Sequence, residues 1–247
     1  MVDIHIKQLL KKFGDKTAVF IPEYHIRQGE ILGLVGNNGA GKTTFFRLLL
    51  DLIKADDGLI EMEYSCKNDE EKCCNKRIVP SQSEDWKLFT GAYIDDGFLI
   101  DFLTPEEYFA FIATINGMEK KSKDNVLAFF QPLMNGEILG QGKYIRNFSA
   151  GNKQKIGIIS AFIHQPQLVI LDEPFNFLDP KSQNMLKKLI TEYHDATKAT
   201  IIISSHNLQH TIDISMRIAL MEDGAIIKDL NNDNETVTQE LQSYFEV

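Results

Sequence analysis

The sequence has few of the features that mark a secreted, metal-stapled or membrane-spanning protein. Its cysteines are only Cys66, Cys73 and Cys74. That odd count contains no CxxC pair, so a disulfide framework and a thiolate zinc site are both disfavoured. The six histidines add no metal-ligand spacing near the cysteines, and a reduced cytosolic setting is expected. No window reaches the roughly 18 apolar residues of a spanning helix, the clean runs being short ones such as Leu168 to Leu171. The first residues carry Asp3 and His5 without an apolar h-region, which argues against a signal peptide. A basic excess is also missing. The formal charge of −9 excludes a broad nucleic-acid footprint, because phosphate backbones are held by clustered Lys and Arg. Any anion this chain binds needs a local site, and no repeat or low-complexity tract is present.

What is there is an ordinary globular composition. With 247 residues, 43% hydrophobic and 25% charged, the chain can bury a sizeable core as one α/β domain carrying an inserted subdomain. Ile31 to Val35, Leu168 to Leu171 and Thr200 to Ile203 are apolar on both faces and end in polar residues, as strands of a helix-covered parallel sheet do. Thr17 to Ile26 and Gly58 to Tyr64 are rich in β-branched and aromatic residues and predict a small antiparallel sheet.

Two helices are predicted between the first and second of the apolar strands. Thr104-Pro105-Glu106-Glu107 reads as a capping box with Pro at the first helical position, opening a helix to about Asn116. Another begins near Ser122, and its Val126, Leu127, Phe129 and Phe130 offer more apolar surface than one helix face needs. That surplus has two readings, a contact patch for a membrane partner or rings packed inside the insert itself. After a break at Asn231 to Asn234, the spacing of Val237, Leu241, Tyr244 and Phe245 predicts a short docked helix in a C-terminal extension, 231–247.

The strongest chemical signal is Gly36-Asn37-Asn38-Gly39-Ala40-Gly41-Lys42-Thr43, followed by Thr44. It fits GxxxxGK[ST] between a strand and a helix. Glycines let backbone N–H groups wrap a phosphate, the helix presents its positive end, Lys42 pairs with β and γ oxygens, and Thr43 can ligate Mg²⁺. The second signal is the apolar strand Leu168 to Leu171 delivering Asp172 and Glu173 at its C-terminal end, where ligands of open α/β sheets sit. Strand alternation would separate the two carboxylates, Asp172 toward Mg²⁺ and Glu173 toward an attacking water as general base.

Shortly before that strand stands Phe148-Ser149-Ala150-Gly151-Asn152-Lys153-Gln154. Here the chain resembles the ABC ATPase family, whose signature is usually LSGGQ. Phe148, Ala150 and Asn152 depart from that pattern, while Ser149 and Gly151 keep it. Ser149 is also a good N-cap for a helix to about Ile163. Asn176-Phe177-Leu178-Asp179 is similar to the family's D-loop, His206 to its switch histidine, and Phe13 stands where the family places an aromatic that stacks on adenine. For the Q-loop two residues compete. Aligning Gly91 to Thr104 with the family pattern GYxPQxPxLYxxLT puts Asp95 at the Gln position, whereas Gln82 has the right side chain but the wrong neighbours; Asp95 is preferred.

The resemblance implies a P-loop NTPase core with a mostly parallel sheet, an N-terminal antiparallel β-subdomain and a helical subdomain inserted at about 96–147, all within 1–230. It implies ATP and Mg²⁺ as ligands. The nucleotide set is Phe13, Gly36, Asn37, Asn38, Gly39, Ala40, Gly41, Lys42, Thr43 and Thr44, with Ser149 and Gly151 meeting the γ-phosphate of a second subunit. The metal set is Thr43, Asp95 and Asp172, and the catalytic set Glu173, His206 and Lys42. The implied activity is ATP hydrolysis coupled to transport. The implied partners are a second ATPase subunit, with which a homodimer closes around two MgATP, and a separate transmembrane permease subunit, most similar to that of exporters; nucleic acid is not among them. The expected location is cytoplasmic, peripheral at the inner face of the cell membrane. A non-membrane partner, such as an iron–sulfur assembly complex, is the alternative. A translation or DNA-repair factor would need a coiled coil, second cassette or basic arm that this sequence lacks. Intact Lys42, Asp172 and Glu173 oppose a cassette that turns ATP over poorly.

Overall fold

A computed structural model describes residues 1–67 and 73–232. The predicted helix containing Val237 and Phe245 lies outside them. The chain begins with β1 (Val2–Phe13) and β2 (Lys16–Ile26), a hairpin whose β1 also pairs with β4 (Asp57–Lys67); β5 (Cys73–Ile78) completes a four-stranded antiparallel sheet of order β2-β1-β4-β5. Val2, Ile4 and Ile6 alternate with polar residues along β1, so one face of this sheet is buried and the other wet.

The second sheet has the order β10-β9-β3-β8-β7-β6, formed by β3 (Ile31–Val35), β6 (Thr90–Tyr93), β7 (Leu168–Leu171), β8 (Thr200–Ser205), β9 (Arg217–Glu222) and β10 (Ala225–Asn231). All its pairings are parallel except β9 with β10. The three strands expected from continuous apolar runs are present, buried on both faces.

Each face of this sheet carries its own core. On one side Leu32, Leu34, Ile170 and Ile202 pack with Phe45 and Phe46 of α1 (Lys42–Leu49) and with the inner face of the antiparallel sheet. On the other side Val169, Leu171, Ile201 and Ile203 pack with α4 (Ala150–Phe162) and α5 (Pro180–Thr197). Strand alternation assigns neighbours to opposite cores. The short α6 (Leu208–Ile212) leads into β9.

Between β6 and α4 run α2 (Pro105–Ile115) and α3 (Lys120–Met134). The capping box is formed: the Glu107 N–H donates to Thr104 Oγ1 at 3.3 Å and the Thr104 N–H to Glu107 Oε2 at 2.8 Å. Of the two readings of α3, the structure supports the packed one and corrects the contact patch. Phe130 is fully buried against Phe162, ring centroids 5.1 Å apart, and Phe129 packs edge-on against Phe130 at 5.0 Å. The apolar surplus is therefore core, because α3 lies against both α4 and α5 and buries more than one face. The exposed large apolar side chains of this region include instead Phe98, Phe102, Phe111, Ile115 and Tyr144.

Candidate active site

The loop from Gly36 to Gly41 leaves β3 and enters α1 at Lys42. Gly41 has φ of 108°, and a Cβ there would lie 2.6 Å from the Ala18 carbonyl oxygen, so only glycine fits between this loop and the β1–β2 hairpin. Lys42 is almost fully buried and folds back over its own loop. Its Nζ donates to the carbonyl oxygens of Gly36 at 2.6 Å and Asn37 at 3.3 Å, and lies 3.5 Å from Glu173 Oε1. The first turn of α1 carries no acidic residue, so nothing offsets the positive end that the loop directs at an anion.

Asp172 and Glu173 follow β7 at its C-terminal end. Asp172 is buried; Thr43 Oγ1 donates to its Oδ2 at 2.5 Å and Ser204 Oγ donates to its Oδ1. Burial pushes its carboxyl above the usual value, partly countered by those two hydroxyl donors. A hard cation would restore the charge there, and the hydroxyl and carboxylate oxygens of Thr43 and Asp172 are the donor chemistry Mg²⁺ prefers. The two carboxylates diverge, but strand alternation is not the cause. Glu173 has left the strand, with φ of 46°, a left-handed conformation that costs a non-glycine residue of order 1 kcal/mol and occurs at functional sites. The turn is held by the Glu173 N–H donating to Ser204 Oγ at 2.8 Å and by Gln154 Nε2 donating to the Glu173 carbonyl at 3.1 Å. Glu173 Oε2 accepts the His206 N–H at 3.1 Å and lies 2.8 Å from His206 Nδ1.

These groups open onto a cleft of about 480 Å³. Phe13, Lys16, Thr17 and Ala18 of the hairpin form one wall, Asn38 to Thr44 the floor, and Glu173, Asp223 and Gly224 the far side. Phe13 is 56% exposed, so it is not a core residue; its ring stands under Lys11 Nζ at 5.5 Å.

A second hollow of about 290 Å³ is lined by Tyr93, Ile94, Asp95, Ala150, Gln154, Asp172, Glu173, Asn176 and Phe177. Asp95 therefore lies beside the two carboxylates, while Gln82 sits in a turn after β5, outside both hollows. The Asp95 carboxylate is engaged by its neighbours, with Oδ2 3.2 Å from Arg47 Nη2 and Oδ1 accepting the Gly97 N–H at 2.9 Å. Ser149 caps α4, its Oγ accepting the Asn152 N–H at 3.3 Å. A Cβ on Gly151 would meet the Phe177 carbonyl oxygen at 2.6 Å. Among the described residues, the lining of the larger cleft includes neither Ser149 nor Gly151.

The model of the ABC transporter family matches residues 22–176, more than half of the chain. The chain belongs to the ABC transporter family. A bacitracin transport ATP-binding protein of Bacillus licheniformis is 34% identical over 94% of this chain and 70% of its own length. A probable sulfate/thiosulfate import ATP-binding protein of Chlorella vulgaris is 29% identical over 92% of this chain and 90% of its own. The fold matches a solved ATP-binding subunit of an ABC transporter, with a TM-score of 0.80, 22% identity and 98% coverage of both chains. It also matches a dimeric ATP-binding cassette in a post-hydrolysis state bound to ADP and Pi, with a TM-score of 0.75, 19% identity and coverage of 94% of this chain and 99% of that one.

This ABC chain is thus an ATP-binding ATPase cassette of a transporter system. Among its described residues no helix is long and apolar enough to cross a membrane. Several cleft-lining residues of the cassette carried no signal in the sequence. Lys16, Asp223 and Gly224 belong to no motif, Thr17 and Ala18 showed only as part of a strand, and chain topology brings them to the loop. Gln154 was visible as part of the signature segment, but its tether from Tyr93 Oη, 2.9 Å from Gln154 Oε1, to the Glu173 carbonyl was not.

Proposed function

We propose that two copies of this cassette close around two MgATP and hydrolyse them to drive a separate membrane-spanning permease subunit. The observation that carries this reading is the gathering of Lys42, Thr43, Asp172, Glu173 and His206 around one loop, while Ser149 and Gly151 stand outside the larger cleft. A signature motif that does not line its own chain's cleft suits a site completed by a second copy. The dimeric cassette of the same fold, bound to ADP and Pi, supports the same arrangement.

In this reading Phe13 stacks on the base, and the loop N–H groups with Lys42 hold the phosphate oxygens and stabilise charge as the γ-phosphoryl group transfers. Thr43 and Asp172 would hold Mg²⁺, with Asp95 in the adjoining hollow; the ion would neutralise phosphate charge. Glu173 takes a proton from the attacking water while the water oxygen bonds phosphorus and the bond from phosphorus to the ADP oxygen breaks, giving ADP and phosphate. His206, hydrogen-bonded to Glu173, orients that carboxylate and contacts the γ-phosphate. Glu173→Gln keeps shape and removes the base, so turnover should fall by about 10²–10⁴-fold and size exclusion should show a dimer with ATP and a monomer with ADP. A monomer under saturating MgATP, with nucleotide binding confirmed, overturns the shared site.

A further inference from the structure

Far along β1 from Phe13, on the solvent face of the antiparallel sheet, three metal-ligating side chains converge. His5 and His25 are cross-strand partners in the β1–β2 register, and Asp3 lies two residues before His5 on the same face. Both imidazole Nε2 atoms lie 2.8 Å from one oxygen, Asp3 Oδ2, and the three donor atoms fall within 4.8 Å of one another. The rings stack with centroids 4.3 Å apart and planes 8° off parallel, so their nitrogens aim the same way. The other carboxylate oxygen, Asp3 Oδ1, accepts the Gln28 N–H at 2.9 Å, which fixes the group's orientation as an outer-shell partner does in metal sites.

We propose that Asp3, His5 and His25 form a binding site for a divalent transition ion of the zinc type, distinct from the Mg²⁺ of the nucleotide cleft. Two imidazole nitrogens and one carboxylate oxygen are a zinc donor set, with a fourth position left to water. Bonds of about 2.0–2.1 Å in tetrahedral geometry set donor atoms about 3.4 Å apart. The observed 2.8 Å separations reach that by a small side-chain rotation. All three side chains are partly exposed, so ion and water have access from solvent. The neighbouring carboxylates compete little, since Glu63 lies 3.3 Å from Arg77 and Glu61 lies 3.2 Å from Lys7. An ion here would clip β1 to β2 at the end of the hairpin remote from the base-facing Phe13.

The test uses the full chain without an affinity tag, with Cys66, Cys73 and Cys74 changed to Ser so that no thiolate supplies the site. Zinc chloride is titrated against a chromophoric chelator in the absence of nucleotide, and Co²⁺ is used as the spectroscopic probe. One zinc per chain should bind, with Co²⁺ giving the visible bands of a four-coordinate nitrogen and oxygen site. His5→Gln or His25→Gln should each weaken zinc by about 10–100-fold, and the double variant should lose both the zinc and the Co²⁺ bands. Mg²⁺-dependent ATP hydrolysis and the melting temperature without zinc, measured on the same variants, should stay near those of the parent. Equal zinc affinity in parent and double variant, or no binding by the parent below millimolar zinc, overturns the site and leaves a hydrogen-bonded triad only.

Discussion

At the residue scale, the proposed Q-loop position of Asp95 can be tested through the partner its carboxylate has. If Asp95 takes the place proposed for it, a carboxylate stands where the family has a neutral amide; the structure pairs that carboxylate with Arg47 of α1 at 3.2 Å. Both side chains are about two-fifths exposed, so the pair contributes no more than about 1 kcal/mol and can open. Arg47→Gln should free Asp95, making ATP affinity depend on Mg²⁺ more steeply, because uncompensated charge near a triphosphate is repulsive until the cation arrives. Asp95→Gln should flatten that dependence and still hydrolyse ATP. Nucleotide affinity measured across a Mg²⁺ series separates these variants. The assignment fails if Asp95→Ala leaves rate and Mg²⁺ dependence untouched while Gln82→Ala abolishes turnover.

At the scale of elements, the same sequence signals differ in what they can settle. The capping box at Thr104 needs only residues three apart, and it formed where the sequence put it. The burial of α3 needs a neighbour's position, and no spacing within α3 reveals that Phe162 of α4 meets Phe130. Truncating a fully buried ring leaves a cavity, so Phe130→Ala should cost about 3–5 kcal/mol in denaturant unfolding. Phe129→Ser removes a half-buried ring at the rim of that cluster and should cost nearer 1 kcal/mol. Thr104→Ala should cost about 1 kcal/mol through the lost cap. Equal losses for the two phenylalanines would contradict the packing described for α3.

At the scale of the whole molecule, stability should respond to acid in two stages below about pH 7. Burial holds His164 and His210 below the ordinary histidine value of 6.5, with the Lys187 charge adding to the effect at His210. The unfolded chain therefore takes up these protons first, so their contribution is present above pH 6.5 and declines as pH falls through it. Asp56, Glu107 and Asp179 lie below their ordinary values of 3.8, 4.5 and 3.8, because hydrogen bonds from Lys12, Thr104 and Ser182 favour the charged forms. Their contribution is present above those values and lost as pH falls below them. Asp172 runs the other way, since burial raises it, and partly offsets the acid loss. The melting temperature should slope down as pH falls below about 6.5 and fall faster in the carboxylate range. His164→Phe should remove part of the upper step; an unchanged profile would show that the histidine does not titrate with unfolding.

The sequence by itself determined the parts that depend on neighbours along the chain. GxxxxGK[ST] after an apolar strand, the Asp172-Glu173 pair at the end of another, and the Ser149 and Thr104 caps are local patterns, and local geometry carries their meaning. Tertiary structure decided whatever depends on which strands lie side by side. It brings Ser204 of β8 to Asp172 and Glu173 after β7, and it makes Glu173 diverge through a left-handed turn rather than through strand alternation. It also sets His5 against His25 across a hairpin, a pairing that their spacing of twenty residues along the chain does not show. Cross-strand register is fixed by which faces are buried, a property of the assembled sheets that no single segment encodes.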